Sequence, residues 1–162
     1  MTIKGKKLAL LGAGKLGETL ISGMLDVGVV SRDRIVATAK HQERLDALKN
    51  KYRIGVTTNN RKAVKGAAIV LLAVKPQAVQ ELLEEIRGEL TRDQVVISVV
   101  ASVTTAFLER NLNAPIPVIR AMPNTPCLVR SGMTALCKGI YAEEEQLKEA
   151  QRMFDSVGRT LI

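Results

Sequence analysis

The sequence predicts a doubly wound α/β fold, in which helices cover both faces of a mostly parallel sheet. Two observations lead to this prediction. Short apolar runs alternate along the chain with segments whose apolar residues recur at helical spacing. Two of these runs, AAIVLLAV at residues 67–74 and QVVISVV at residues 94–100, are almost wholly apolar. Such runs are typical of central parallel strands that are buried on both faces.

The predicted elements follow one another in a regular order. Strands are predicted at residues 7–12, 34–39, 67–74, 94–100, 117–122, 133–139 and 159–162. Helices are predicted at residues 17–26, 42–51, 77–89 and 142–158, with Gly158 ending the last one, and a short helix is expected between a capping Thr104 and Leu112. Residues 123–132 contain two prolines and are predicted to form a loop.

Composition limits the classes of function. The 162 residues, 46% of them hydrophobic, fit a single domain at residues 1–162. No apolar run approaches the roughly 20 residues that cross a bilayer, so we expect no membrane partner and a cytoplasmic location. The two cysteines, Cys127 and Cys137, lie in no metal-ligand spacing, and the chain has one histidine. No metal site is therefore predicted.

Positive charge is concentrated in the first half of the chain. Residues 1–80 contain 15 Lys or Arg and 5 Asp or Glu, a net charge of +10, within a total of +8. A basic half suits a nucleic acid, an anionic small ligand or a solvated surface. Aromatic residues, which stack on bases, make up only 2% of the chain, so no nucleic-acid partner is predicted.

A glycine motif lies between the first strand and the first helix. Gly12, Gly14 and Gly17 form G-x-G-x-x-G in the strand–turn–helix context that binds dinucleotides in Rossmann-like folds. Gly12 permits a tight turn, Gly14 leaves room for a pyrophosphate, and Gly17 lets helix and strand pack closely. An ordinary glycine turn is the alternative. The motif favours a pyrophosphate at the N-terminus of the first helix.

The end of the second strand carries no acidic residue. NAD-binding folds usually place Asp or Glu about 20 residues beyond the glycine turn, where it accepts a hydrogen bond from the ribose 2′-hydroxyl. This chain has Thr38, Lys40, His41 and Arg44 there. A hydroxyl and a lysine favour a 2′-phosphate, so NADP(H) is the predicted cofactor and NAD(H) the alternative. Each basic residue taken singly is equally compatible with a solvent-exposed helix start.

Three more strand ends carry distinctive residues at the same predicted edge. Lys75 follows a buried strand in LAVKPQ, ASV at residues 101–103 follows the next, and RAMPNTP at residues 120–126 follows the fifth. Ligands of open α/β sheets bind at this edge. Structural roles are the alternative to ligand binding. Arg120 would then form an ion pair, and Asn124 and Thr125 would be turn residues.

These motifs resemble the amino-terminal domain of Δ1-pyrroline-5-carboxylate reductase. The resemblance rests on LLGAGKLG, TTNN, LAVKPQ, VVISVVASV and above all RAMPNTP followed by GMTAL, which occur in the order of that family. It implies reduction of the cyclic imine pyrroline-5-carboxylate to L-proline with NAD(P)H, in proline biosynthesis. That family continues into a helical domain that mediates dimerisation and completes the substrate site. We therefore expect this chain to be the cofactor domain of a longer homo-oligomer built on dimers.

The resemblance and the motifs together give the candidate site. Asn60 enters through TTNN by resemblance alone, because the sequence by itself indicates only a helix cap. His41, which lies on the ribose side, is a poor candidate for the general acid. No other residue stands out for that role, so no catalytic residue is predicted. The predicted cofactor-binding residues are Gly12, Ala13, Gly14, Lys15, Leu16, Gly17, Thr38, Lys40, Asn60, Ala73, Val74, Lys75 and Ala101, and the predicted substrate-side residues are Met122, Pro123, Asn124 and Thr125.

Two other functions share some of these features. A different reductase on the same fold, such as a deazaflavin-dependent NADP reductase, would have the glycine turn and the basic ribose site but is not expected to have RAMPNTP. A non-catalytic NADP-binding or regulatory module would bind the cofactor and turn over no imine.

Overall fold

A computed structural model describes residues 3–162, apart from the side chain of Lys4. The described chain forms one eight-stranded sheet and six α-helices, which confirms the predicted fold class. The strands are β1 (Leu8–Leu11), β2 (Ile35–Thr38), β3 (Gly55–Thr57), β4 (Ile69–Leu72), β5 (Val95–Ser98), β6 (Val118–Pro123), β7 (Gly132–Lys138) and β8 (Gly158–Leu161). The helices are α1 (Lys15–Asp26), α2 (Gln42–Tyr52), α3 (Asn60–Val64), α4 (Val79–Ile86), α5 (Thr105–Asn111) and α6 (Glu144–Phe154).

The sheet has the strand order β3-β2-β1-β4-β5-β6-β7-β8. The first six strands in this row are parallel, β7 runs antiparallel to β6, and β8 runs parallel to β7. The chain winds outward from β1 to β3 and then returns to begin β4 on the other side of β1. Ligands of such sheets bind where the winding direction reverses, at the carboxyl ends of β1 and β4.

The core lies in two layers, one on each face of the sheet. Strands β1, β4 and β5 are fully buried, and successive residues point to opposite faces, so Leu8 and Leu10 pack on one side while Ala9 and Leu11 pack on the other. Apolar residues of α1, α2 and α6 cover the first face, and those of α3, α4 and α5 cover the second. This double coverage explains why the central strands are continuously apolar.

Several element boundaries differ from the predicted ones. The segment predicted as a helix at 77–89 begins with a 3-10 turn at Pro76–Ala78 and continues as α4. The predicted loop at 123–132 contains a 3-10 helix, Thr125–Val129. Strand β3 was not predicted, because its three half-exposed residues are too few to show a pattern.

The last helix does not run to Gly158. The α-helix α6 ends at Phe154, and a 3-10 turn, Asp155–Val157, leads into β8. Gly158 is the first residue of β8 and has φ 155°. A Cβ atom there would lie 2.1 Å from the carbonyl oxygen of Gly132, so the close pairing of two strand backbones, rather than helix capping, requires this glycine. Among the described residues, no helix is long and apolar enough to cross a membrane.

Candidate functional site

The glycine turn lies at the centre of the carboxyl edge of the sheet. Gly12 has φ 89°, and a Cβ atom there would lie 2.6 Å from Val74 Cγ1. The glycine turn therefore packs closely against the segment that follows β4. A Cβ atom at Gly17 would lie 2.9 Å from Leu10 Cδ2, which fixes α1 close to β1. Gly14 differs from both, because a Cβ atom there would meet nothing within 4 Å. Open space at Gly14 is where a ligand can approach the backbone.

Helix α1 begins directly after this open space. Its N-cap is Gly14, which has no side chain to cap the first turn. The first amide groups of a helix have no partners within the helix, and they carry the positive end of its dipole. Residues Lys15, Leu16 and Gly17 form that first turn. The arrangement suits a phosphate group.

A chain of hydrogen bonds runs behind the turn from α4 to β1. Asn60 Nδ2 donates to Glu85 Oε2 at 2.9 Å, and Asn60 Oδ1 accepts from the Thr38 hydroxyl at 2.7 Å. Thr38 Oγ1 in turn accepts from the N–H of Gly12 at 3.3 Å. The amide groups of Gly12 and Ala13 also donate to the Thr38 carbonyl oxygen. The predicted residues Thr38 and Asn60 therefore hold the glycine turn from inside the fold.

This hydrogen-bond chain corrects two details of the sequence interpretation. Thr38 is only 2% exposed, and its hydroxyl proton is directed to Asn60, so the hydroxyl does not donate outward to a ligand. The cap of α3 is Asn59, whose side chain accepts from the N–H of Lys62. Asn60 is instead the first helical residue, and its side chain joins α3 to β2 and α4.

A cavity of about 150 Å³ opens beside this chain of hydrogen bonds. Lys40 is exposed at its rim, just beyond β2, and is the cationic member of its lining. Two carboxylates, Glu81 and Glu85, come from α4. The cavity is lined by Gly12, Thr38, Ala39, Lys40, Thr58, Asn60, Val74, Ala78, Glu81, Leu82 and Glu85.

Arg44 points to the glycine turn instead of the predicted ribose position. Its guanidinium donates to the carbonyl oxygens of Ala13 and Gly14, at 2.9 and 3.1 Å, and pairs with Glu18 Oε2 at 2.6 Å. The Glu18 carboxylate also accepts from Lys51 and from the Tyr52 hydroxyl, each at 2.9 Å. These four side chains, Glu18, Arg44, Lys51 and Tyr52, form a clamp that joins α1 to α2 behind the turn.

The clamp holds Glu18 in its ionised form. The hydrogen bond from Lys51, together with those from Arg44 and Tyr52, lowers the pKa of Glu18 from 4.5 to about 2, against the opposing effect of burial. The same contact with Glu18 raises the pKa of Lys51. No sequence pattern indicates this clamp, because its members come from two helices and have ordinary surface spacing within each.

The other predicted residues lie along the same edge, in the order of the strands. Ala73, Val74 and Lys75 follow β4, and Lys75 is exposed immediately before Pro76. Ala101 is exposed in the turn after β5, beside Ser102, which has φ 61°. A non-glycine residue with positive φ is uncommon and marks a turn that the surrounding structure holds in place.

The predicted substrate-side residues end β6 and begin the loop that follows it. Met122 and Pro123 are half-buried in β6, and Asn124 and Thr125 are exposed. Asn124 Oδ1 accepts from the N–H of Met133 at 2.8 Å, and the Asn124 N–H donates to the Met133 carbonyl oxygen. Asn124 therefore has the structural role of a turn residue that ties the loop to β7.

The edge as a whole brings the two predicted sets of residues into one row. Lys40 follows β2, the glycine turn follows β1, and Met122 lies in β6, with β4 and β5 between them. Strands are spaced about 4.8 Å apart, so β2 and β6 are separated by about 19 Å. An elongated ligand can lie across this edge and contact both sets.

Comparisons with known proteins identify the family. The family described as NADP oxidoreductase, coenzyme F420-dependent, matches residues 7–102. The chain belongs to this family. The match spans β1 to β5 and the turn after it, and it ends before Arg120 and the loop beyond β6.

Individual relatives match nearly the whole chain. A pyrroline-5-carboxylate reductase from Corynebacterium melassecola is 37% identical over 157 residues, which are 95% of this chain and 58% of that protein. The structure of a pyrroline-5-carboxylate reductase from Coxiella burnetii superposes with a TM-score of 0.91 at 30% identity, over 96% of this chain and 58% of the other. The resemblance that the sequence motifs indicated is thus confirmed. The chain spans a little over half the length of these family relatives.

A second structure shows how widely the fold is shared. The pyrroline carboxylate reductase of Plasmodium falciparum, solved with NADP bound, has a TM-score of 0.85 at 22% identity and covers 98% of this chain and 57% of its own. At this identity the similarity establishes the fold alone.

The clamp predicts a pH-dependent contribution to stability. The folded-state pKa of Glu18 is below its ordinary value, so its stabilisation is present above that value and is lost as the pH falls toward about 2. We expect Glu18→Gln to lower the free energy of unfolding by about 1–3 kcal/mol at pH 7. The difference from the unsubstituted chain should shrink steadily below about pH 5. Urea unfolding followed by circular dichroism across this pH range measures both.

The matched control is Glu43→Gln. Glu43 is also an acidic residue in the first turn of its helix, but it is exposed and outside the clamp. Equal losses for both variants would show that the helix dipole and not the clamp is responsible. A loss for Glu18→Gln that does not change with pH would show that the charge of Glu18 does not contribute.

Proposed function

We propose that residues 1–162 form the NADPH-binding domain of a reductase that converts 1-pyrroline-5-carboxylate to L-proline. The observation that carries the proposal is the row formed by Lys40, the glycine turn and the Met122–Thr125 segment at one edge of the sheet. The named relatives support it, because their similarity to this chain extends past residue 102 and through the segment that the family match leaves out.

The preference for NADPH follows from the charges around the cavity. No acidic residue ends β2, and the exposed Lys40 at the rim provides an ammonium group for a 2′-phosphate. The carboxylates of the cavity belong to α4, and Glu85 has one oxygen occupied by Asn60. The pyrophosphate is assigned to the open space at Gly14, where the first turn of α1 offers its amide groups.

The reaction proposed for this edge is hydride transfer to an imine. Bound NADPH supplies the hydride. The chain's own contribution is to bind the phosphates at the glycine turn and the ribose near Lys40, and to place the ring of the substrate beside Met122, Pro123, Asn124 and Thr125. His41 is exposed at the start of α2, beyond Lys40, so it remains unassigned as the acid that protonates the imine nitrogen.

The assembly and the location are part of the same proposal. We expect a small-molecule imine substrate, a homo-oligomer built on dimers for the full-length protein, and neither nucleic acid nor membrane as a partner. A cytoplasmic location is supported by two free cysteines, Cys127 and Cys137, since a reducing compartment keeps thiols unpaired.

A reductase that exchanges hydride between NADP(H) and coenzyme F420 is the second candidate. The description of the family favours it. The two candidates share the glycine turn and the cavity. They differ in the second substrate that would contact the cofactor beside β6. A non-catalytic NADP-binding module would show binding without turnover of either substrate.

Replacement of the middle glycine tests the pyrophosphate site. We expect Gly14→Val to abolish measurable NADPH binding and to leave the fold intact, because the new side chain would enter open space and not the core. Calorimetric titration and circular dichroism measure the two effects. Gly88→Val is the control, since Gly88 also has nothing within 4 Å but follows the end of α4. A folded Gly14→Val chain with normal NADPH affinity would place the phosphates elsewhere.

Reversal of the charge at Lys40 tests the choice of cofactor. The unsubstituted chain is expected to bind NADPH more tightly than NADH. Lys40→Glu should reduce that preference by about 1–3 kcal/mol, or roughly 5- to 150-fold, because a charge-assisted hydrogen bond is lost. Titrations with both nucleotides measure it. Lys49→Glu on the exposed face of α2 makes the same change in net charge and should leave the preference unaltered. Equal affinities for both nucleotides in the unsubstituted chain would refute the assignment.

Turnover by the chain distinguishes the candidate reactions. We expect slow oxidation of NADPH with pyrroline-5-carboxylate, at least about a hundredfold below the 10 per second of an ordinary enzyme. The reason is that Asn124, Thr125 and Ala101 are exposed, and an imine that is not held about 3–3.5 Å from the hydride donor loses its orientational advantage. Oxidised coenzyme F420 serves as the competing substrate in a steady-state assay. Oxidation of NADPH by F420 alone would exclude the pyrroline reaction, and ordinary turnover would show that this edge is already a complete site.

A further inference from the structure

Glu85 places a carboxylate in the cavity that the proposed function assigns to an anionic part of the cofactor. It lies on α4, is half-buried, and lines the cavity together with Lys40 and Asn60. Its Oε2 atom accepts from Asn60 Nδ2 at 2.9 Å, and no ion pair involves Glu85 within residues 3–162. Its backbone carbonyl oxygen accepts from Arg61 Nε at 2.9 Å, which joins α3 to α4 beside this contact. The Glu85 carboxylate is therefore directed at Asn60 and not at a cation.

The two partners of the Asn60 amide differ in the hydrogen bonds that they can make. Thr38 donates its hydroxyl proton to Asn60 Oδ1 and accepts from the N–H of Gly12. A hydroxyl has one donor and two acceptor lone pairs, so it can equally accept from the NH₂ group of an amide that is turned over. A carboxylate only accepts. Among the described partners of Asn60, Glu85 alone thus determines which way the amide faces.

The orientation of the amide decides what the cavity presents to a ligand. The NH₂ group of Asn60 has two N–H bonds, and one of them is directed to Glu85. The other has no acceptor among the described residues, and Asn60 lines the cavity. A turned amide would present a carbonyl oxygen there instead. Because phosphate oxygens accept hydrogen bonds, the observed orientation attracts a phosphate group and the turned one repels it.

We propose that Glu85 is a positioning residue for NADPH, which fixes the Asn60 amide so that an N–H donor faces the phosphorylated ribose. This inference rests on the proposed function, which places that ribose near Lys40. Glu85 acts through Asn60, and its carboxylate is occupied by a neutral donor inside the fold. This role accounts for a carboxylate in a cavity that binds an anion.

Nuclear Overhauser contacts of the Asn60 amide test its orientation without any ligand. The Nδ2 proton signals of Asn60 are assigned in the ¹⁵N-labelled chain by their absence from Asn60→Asp. We expect stronger contacts to the side-chain protons of Glu85 than to the methyl group of Thr38. In Glu85→Gln the new amide can donate or accept, so contacts of similar strength to both are expected. Glu84→Gln is the matched control, because Glu84 is exposed on the same helix and accepts from Gln80, and it should leave the pattern unchanged.

Exchange of the two side chains separates orientation from hydrogen bonding. This first exchange, Asn60→Asp combined with Glu85→Gln, keeps the net charge and the hydrogen bond between the two positions, with its direction reversed. Its midpoint in urea unfolding is therefore expected to stay close to that of the unsubstituted chain. NADPH should bind roughly tenfold more weakly in calorimetric titration, because the cavity then presents an acceptor. Glu85→Gln alone should weaken binding only about twofold, because about half of the molecules still offer the donor.

A second exchange controls for repulsion between the new carboxylate and the phosphate. Thr58→Asp combined with Glu84→Gln also adds a carboxylate to the lining of the cavity at the same net charge, and it leaves Asn60 and Glu85 in place. We expect a smaller loss of NADPH affinity than for the first exchange.

Three results would overturn the proposal. Stronger contacts of the Asn60 NH₂ group to Thr38 than to Glu85 in the unsubstituted chain would show the opposite amide orientation. Normal NADPH binding by the first exchange would show that a hydrogen bond in either direction supports the site. An equal loss for the second exchange would assign the effect to repulsion. Failure of the proposed function is distinguishable, because the unsubstituted chain would then not bind NADPH, while the Overhauser contacts would still report whether Glu85 sets the amide.

Discussion

The close approach of Gly12 to the end of β4 is the contact on which the rest of the candidate site depends. Gly12 adopts a positive φ and leaves no space for a side chain against Ala73 and Val74. Because β1 and β4 are the two strands between which the winding of the sheet reverses, this contact sets the depth of the crevice. A side chain at Gly12 would push the glycine turn away from β4 and with it the start of α1.

Two polar networks keep the turn in that position from opposite sides. The hydrogen bonds from Glu85 through Asn60 and Thr38 reach the amide group of Gly12, while Arg44 holds the carbonyl oxygens of Ala13 and Gly14. Backbone amides and carbonyls of the turn are thus held by groups inside the fold, and the amide groups at the start of α1 remain directed at the crevice. This division explains why several polar residues near the site make their hydrogen bonds within the fold.

Three cations near this edge of the sheet are widely separated. Lys40 lies beyond β2, Lys75 follows β4, and the guanidinium of Arg120 lies beside Met122 in β6. Each is at a different strand position of the same edge, so an anionic ligand with charges at both ends can contact more than one of them. The spacing of strands in a sheet, and not the local sequence around each cation, determines this separation.

The sequence by itself determined the fold class, the central strands, the glycine turn and the missing acid beyond β2. These features depend on neighbouring residues. A continuous apolar run indicates a strand that is buried on both faces, and a glycine at a fixed spacing permits a turn in which other residues would be strained. Element ends were less well determined, because the close pairing of Gly158 with Gly132, and not helix propensity, decides where β8 begins.

Only the tertiary structure decided which polar residues serve the fold and which face a ligand. Arg44 and Gly14 are 30 residues apart, and Asn60 and Glu85 are 25 apart, so no local pattern shows that they are partners. Arg44 is a surface cation by its sequence and a support of the turn by its contacts. Arg120 is the converse case, because the ion pair considered as its alternative role is absent among the described residues. The physical reason is that a polar group forms its hydrogen bond with a partner that the strand order brings within about 3 Å. Strand order is a property of the whole chain.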